Sequence, residues 1–137
     1  MLFRSLMIDS DNLKAVNDGY GHDAGNQLLR QLTRTIQAEL RYTDVLARYG
    51  GDEFIVLLPE TPRKGALEVA DRIRDAVVGA PLEVSEKRVV CSVSIGLAGH
   101  PDDGNTMDSI VARADRAMYR AKQQGRNRVV QFEASAA

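Results

Sequence analysis

The sequence predicts an α+β domain: a mainly antiparallel five-stranded sheet flanked by helices, in the order β-α-β-β-α-β-α-β. Three observations predict it. Apolar residues recur at three- and four-residue spacing in three separate segments, the pattern of amphipathic helices. Short apolar or alternating runs stand between those segments, bounded by Gly, Asn and Asp. Two of the runs meet across Gly50-Gly51, a hairpin that breaks the strict strand–helix alternation of a parallel sheet.

Taken in order, Leu6-Met7-Ile8 lies in a buried strand within the first ten residues, ending in Asp9. A short helical turn from Asp11 to Val16 follows, closed by Asn17-Asp18-Gly19. From about Asp23 to Leu40, Leu28, Leu32, Ile36 and Leu40 recur every four residues, with Leu29 alongside. Asp44 to Tyr49 and Glu53 to Pro59 read as strands joined by the Gly-Gly turn. A second long helix is expected over about Arg63 to Val78, with Ala66, Val69, Ala70, Ile73, Ala76 and Val77 inward. Arg88 to Ala98 reads as one long strand with Val89, Cys91, Val93, Ile95 and Leu97 on a shared face. After the loop Asp102-Asp103-Gly104-Asn105, a third helix spans about Met107 to Gln124 and stops at Gly125. Asn127 to Phe132 is the last strand, and residues 133–137 read as a frayed tail.

In the split arrangement of the order β-α-β-β-α-β, the first and third strands lie antiparallel at the centre. That puts Asp9, at the end of one, beside Asp52 and Glu53, at the start of the other.

At 137 residues the chain makes a single domain with a full hydrophobic core. A net charge of −1 argues against broad, nonspecific binding to nucleic acid or anionic membranes. The one cysteine, Cys91, sits in an apolar strand pattern as buried filler, so no intrachain disulfide forms. No apolar run reaches the ~18 residues a bilayer span needs, and the N-terminus has no signal-peptide layout. The expectation is a soluble, cytoplasmic domain.

Chemistry concentrates in Gly50-Gly51-Asp52-Glu53-Phe54. The glycine pair permits a tight hairpin and a close approach of ligand to backbone. Two acids on the rim of a buried strand, beside such a turn, suit a hard divalent cation and its nucleotide.

Around this segment stands an ordered series of motifs: Asp9-Ser10-Asp11-Asn12-Leu13-Lys14, Asn17-Asp18, and Gly21-His22-Asp23-Ala24-Gly25-Asn26. Arg48-Tyr49-Gly50-Gly51-Asp52-Glu53-Phe54, Ser94-Ile95-Gly96, Ala114-Asp115, and Ala117-Met118-Tyr119 through Lys122 to Gly125-Arg126-Asn127 continue it. The series resembles the diguanylate cyclase, or GGDEF, domain over about residues 4 to 132. That resemblance implies a fold like the palm of nucleotide cyclases and polymerases. It also implies the condensation of two GTP molecules into cyclic di-GMP.

The resemblance further implies roles. Asp9, Asp52 and the Ser10 carbonyl would bind Mg2+ or Mn2+, two ions per half-site. Glu53 would sit nearest the attacking hydroxyl, as metal ligand or as proton acceptor. Asp11 either joins these acids or caps the following turn. Lys14, Lys122 and Arg126 would contact the triphosphate, with backbone N–H groups at Asn12 and Leu13 adding donors. Lys122, four residues beyond Met118 on the core-facing column, would reach past the sheet edge. Asn17 and Asn26 would contact guanine. Here the chain departs from the family, whose second position is commonly Asp; an amide offers one acceptor and two donors where a carboxylate offers two acceptors. Arg41 and Asp44 resemble the family's Arg-x-x-Asp inhibitory site, with Arg72 as a secondary contact; the bland alternative is an i,i+3 surface ion pair.

Leu13 replaces the family's usual aromatic, and the sequence starts close to the first strand, without the Asp-x-Leu-Thr-x-Leu-x-Asn-Arg segment common in the family. The resemblance implies a homodimer of half-sites with product feedback inhibition; with no sensory or dimerising module visible in the sequence, weak, concentration-dependent activity is expected. The competing readings are a catalytically quiet sensor of GTP or cyclic di-GMP, and a cyclase making a mononucleotide product.

Overall fold

The computed structural model describes residues 2–133. Its elements are β1 (Phe3–Ser10), α1 (Leu13–Tyr20), α2 (His22–Ala38), β2 (Val45–Arg48), β3 (Glu53–Pro59) and α3 (Arg63–Val78). They continue with β4 (Leu82–Val84), β5 (Lys87–Val89), β6 (Val93–His100), α4 (Met107–Gln123) and β7 (Arg128–Gln131). The five-stranded sheet has the order β2-β3-β1-β6-β7. All its pairings are antiparallel except β6 with β7.

Side-chain alternation along β1 sorts the two faces. Leu6 and Ile8 join Phe54, Val56, Leu58, Ile95 and Leu97 under α1, α2 and α3. Met7 joins Ala98, Ile110, Ala114 and Met118 under α4. Burying a side chain such as Phe54, 1% exposed, is worth about 1.5–3 kcal/mol. The same parity directs Asp9 and Asp11 toward the α4 side.

Close approach of α4 depends on Gly96 in β6. A Cβ there would run into the backbone at Ala114, Ala117 and Met118. The α4 N-terminus is fixed by a capping box, in which Thr106 Oγ1 accepts from Ser109 N–H at 3.1 Å. Its C-terminus ends at Gly125, whose φ of 120 is the left-handed stop the sequence calls for.

Three expectations need correction. The first helix runs on to Tyr20, so Asn17, Asp18 and Gly19 are helical, and Gly21, with φ 91, ends it. A Lys14–Asp18 ion pair across one turn and the Gly21 N–H to Asn17 carbonyl bond favour the longer helix. The strand expected over Arg88 to Ala98 is two strands, because residues 90–92 leave the ladder: the Ser92 N–H donates to Asn12 Oδ1, and the Ser92 carbonyl accepts from Asp11 N–H. The predicted inward face nevertheless holds, since Val89, Cys91, Val93, Ile95 and Leu97 all meet one core. The third correction is the β4–β5 hairpin, absent from the sequence reading. Its turn places Ser85 and Glu86 at φ 50 and 62 without the Asn-Gly signal that such turns usually carry. Of the predicted tail, residues 134–137 lie outside the described residues.

Candidate active site

The central pairing sets the site. Asp9 and Glu53 are directly opposed Cα partners at the last rung of β1 and β3. Opposed residues on paired strands project to the same face. One residue on, Ser10 N–H donates to the Asp52 carbonyl at 3.3 Å, so the hairpin bearing both acids is tied to the end of β1. The hairpin is itself closed by Tyr49 N–H on the Glu53 carbonyl and by Arg48 on the Gly51 carbonyl.

Asp9 is the strained member of this group. Its Oδ1 is buried with no hydrogen-bond partner. Burial raises its carboxyl to about 7; Lys122 opposes the rise, while Asp52 and Glu53 add to it, Asp52 also lying within hydrogen-bonding reach. Burial likewise raises Glu53, helped by the charges of Asp115 and Asp52 and opposed by Lys122. Asp115, on α4, is also raised by burial.

The cation in this acidic corner is Lys122, only 18% exposed. Its Nζ donates to the Ser10 carbonyl at 3.1 Å and to Asp11 Oδ1 at 3.1 Å, and lies 3.6 Å from Asp9 Oδ2. Among the described residues, no three His, Cys, Asp or Glu side chains form a ready-made metal cage. The donor set still suits a hard cation. Asp9, Asp52 and the Ser10 carbonyl offer only oxygen, and the buried Asp9 Oδ1 has no hydrogen-bond partner.

Asp11 does not cap α1. The cap position belongs to Asn12, which makes no side-chain capping bond. The Asp11 side chain is 3% exposed and accepts from Ser92 Oγ at 2.6 Å, Ser94 Oγ at 2.7 Å, Asn127 N–H at 3.1 Å and Lys122. Burial would raise its carboxyl, but the bonds from Ser92, Ser94, Asn127 and Lys122 outweigh it and leave the group below its ordinary value. Arg126 Nε stands 4.0 Å from the same carboxylate.

The other expected ligand contacts are less gathered. Lys14 lies outside this cluster, with its side chain 93% exposed and paired to Asp18. The Asn12 N–H is already bonded to Ser10 Oγ at 3.2 Å, while Leu13 opens α1 and packs against the core. Asn17 lies against Gly25, where any larger residue would collide with its amide. The neighbouring Asn26 is exposed and lines a cleft of about 140 Å3 with Leu29, Arg30, Thr33 and Arg48.

On the far side, Arg41 and Asp44 are more than a solvated ion pair. The Asp44 side chain is 1% exposed and accepts from the Arg41 N–H at 2.8 Å and from its guanidinium at 2.9 Å. Arg41 also reaches Thr61 Oγ1 at 2.9 Å. Arg72, paired with Glu39, lines the same cleft of about 270 Å3.

Sequence reasoning gave no role to Asp115, Ser92 or Thr61. Asp115 carried a usable signal: it stands two helical turns before Lys122, on the same face of α4. Ser92 and Thr61 carried none, since only tertiary contacts set them apart.

The family described as "Diguanylate cyclase, GGDEF domain" matches residues 2–128. Diguanylate cyclase A of Treponema denticola is 44% identical over 124 residues, 90% of this chain and 33% of that protein. The response regulator PleD of Caulobacter vibrioides is 41% identical over 128 residues, 92% of this chain and 28% of that protein. The chain thus spans a third or less of the length of these relatives. The crystal structure of the GGDEF domain of PA1120 (YfiN or TpbB) from Pseudomonas aeruginosa superimposes with a TM-score of 0.93 at 38% identity. That match covers 98% of this chain and 84% of the other.

Proposed function

Because the chain belongs to the diguanylate cyclase GGDEF-domain family, we propose that it joins two GTP molecules into cyclic di-GMP with release of pyrophosphate. The observation that carries this reading is the Asp9–Glu53 register. It brings acids from two distant stretches of chain to one sheet edge, with Lys122 among them.

Each domain binds one GTP. Lys122 and Arg126 hold its phosphates, Lys14 swings from Asp18 to join them, and N–H groups at the start of α1, from Leu13 onward, add donors. Asn17 and Asn26 contact the base. Asp9, Asp52, Glu53 and the Ser10 carbonyl provide the oxygens for two divalent cations, Mg2+ or Mn2+. When bound, these ions supply Lewis-acid charge at the attacking and departing oxygens. Glu53, raised by burial, accepts the proton of the attacking 3′-hydroxyl. That oxygen forms a bond to the α-phosphorus of the facing domain's GTP, and the α–β phosphoanhydride bond breaks to release pyrophosphate. Two such transfers close the ring, so turnover requires a homodimer of half-sites. Product returns to the Arg41–Asp44–Arg72 cleft and inhibits, its guanine and phosphate oxygens suiting the arginine forks. The substrate places this chemistry in the cytoplasm. No helix among the described residues is long and apolar enough to cross a membrane.

Incubation with GTP and Mg2+ tests the reading directly. Cyclic di-GMP is the expected product, with a rate per protein that rises across a concentration series. Tight nucleotide binding with no product at high protein concentration would sink the catalytic reading in favour of a sensor. A 3′,5′-cyclic mononucleotide would replace it with a different cyclase.

A further inference from the structure

Asp11 is used by neither the acidic edge nor the helix cap, yet its carboxylate receives donors from three separate parts of the chain. Oδ1 takes Ser94 Oγ and Lys122 Nζ, and Oδ2 takes Ser92 Oγ and the Asn127 N–H. The Asn127 bond pins a strained turn. Arg126 and Asn127 both sit in the left-handed region, at φ 64 and 50, which non-glycine residues keep only where the surroundings hold them. Arg126 projects from that turn, its Nε 4.0 Å from the carboxylate that also holds Lys122 at 3.1 Å. The two cationic nitrogens therefore lie within about 7 Å of each other.

We infer that Asp11 is a positioning residue, which holds the Lys122 ammonium and the Arg126-bearing turn at the spacing a nucleoside triphosphate requires. The inference rests on the reading of Lys122 and Arg126 as phosphate contacts. An acid beside two phosphate-binding cations also repels the phosphates. Asp11 is buried and its charge is compensated by two hydroxyls, a backbone N–H and the lysine. Repulsion from so well-bonded a carboxylate is muted. The Arg126 side chain remains 58% exposed and carries five donors. Fixing both cations in advance removes ordering cost from binding, and positioning outweighs repulsion.

The test is a double-mutant cycle on equilibrium affinity for an α,β-methylene analogue of GTP, which cannot be condensed. Turnover does not enter this measurement, so failure of catalysis and failure of positioning read out separately. Asp11→Asn keeps size and one acceptor oxygen, and is expected to weaken binding about tenfold in the otherwise native protein. In a Lys122→Met background the same change is expected to weaken it threefold or less, because the group it positions is gone. Equal weakening in both backgrounds would mean a general structural role and would overturn the inference. So would tighter binding by Asp11→Asn, which would show that repulsion dominates, or a native protein that binds no analogue at all. If Asp11→Asn does not fold, Ser94→Ala carries the cycle. It removes one hydroxyl from the oxygen that holds Lys122, with a twofold or greater loss expected only when Lys122 is present. Unchanged affinity in that variant overturns the inference equally.

Discussion

Substituting Gly96→Ala tests how packing sets the site. The added Cβ would meet the Ala114 carbonyl and the Met118 nitrogen well inside the 3.0 Å that real Cβ atoms keep, with Ala117 C at 2.9 Å. Ordinary contact begins at 3.4 Å, so α4 must withdraw by at least about half an ångström for the farthest of the three, and by more for the others. The obstacles are backbone atoms in a helix, which cannot rotate aside as a side chain would. Overpacking costs about 1–3 kcal/mol, and a rigid obstacle puts this case near the upper end. With a urea m-value of about 1.5 kcal/mol/M, a loss of about 3 kcal/mol lowers the unfolding midpoint by about 2 M. The withdrawal also reaches the chemistry. Lys122 rides on α4 and bonds to Ser10 and Asp11 at 3.1 Å each, so a further half ångström takes both contacts beyond hydrogen-bond length. Urea unfolding followed by circular dichroism, together with GTP affinity, measures both effects. A variant with the native midpoint and native affinity would refute the claim that Gly96 sets the seat of α4.

The remaining predictions are independent of that one. Gly19→Ala, in open space within α1 and without a positive φ, should stabilise the domain by about 0.5–1 kcal/mol in the same urea assay. Asp9→Asn should abolish cyclic di-GMP formation while stabilising the metal-free protein at neutral pH. The folded-state value of about 7 stands above the ordinary 3.8, so the folded protein holds the proton more tightly than the unfolded chain. Stability from this group is full below about pH 4 and is lost as pH rises through about 7; thermal melts across that window should show the decline in the native protein and lack it in the variant. Arg41→Ala should release product inhibition while cyclase activity persists, read from initial rates with added cyclic di-GMP. Asn26→Asp restores a second acceptor toward guanine and should raise the GTP-over-ATP preference about tenfold or more in competition assays.

The fold was legible where pattern and tertiary demand coincide. Arg63–Val78 begins and ends where its apolar spacing says, and the central β1–β3 pairing follows from element order alone. What escaped depends on partners remote in sequence. Ser92 interrupts a regular alternating run because its backbone bonds to Asn12 and Asp11, and no local rule reports that. The β4–β5 turn uses Ser and Glu at positive φ, where sequence reading looks for Gly or Asn. Within the site, the acids, Lys122 and the Arg41–Asp44 pair stood out as residues. Their burial, the orphaned Asp9 oxygen and the true partners of Asp11 come only from how the elements close together.

The sheet's central strand precedes both of its neighbours in the chain. During synthesis, Leu6, Met7 and Ile8 leave the ribosome long before β6 is complete at His100. At about 5–20 residues per second, that interval is on the order of ten seconds. For that time a strand with the apolar centre Leu6-Met7-Ile8 has one or both ladder edges open, and another nascent chain is as able to cover them as its own later segments. Yield in the cell should therefore depend on translation speed between β3 and β6 and on chaperone capacity, even where equilibrium stability is ample.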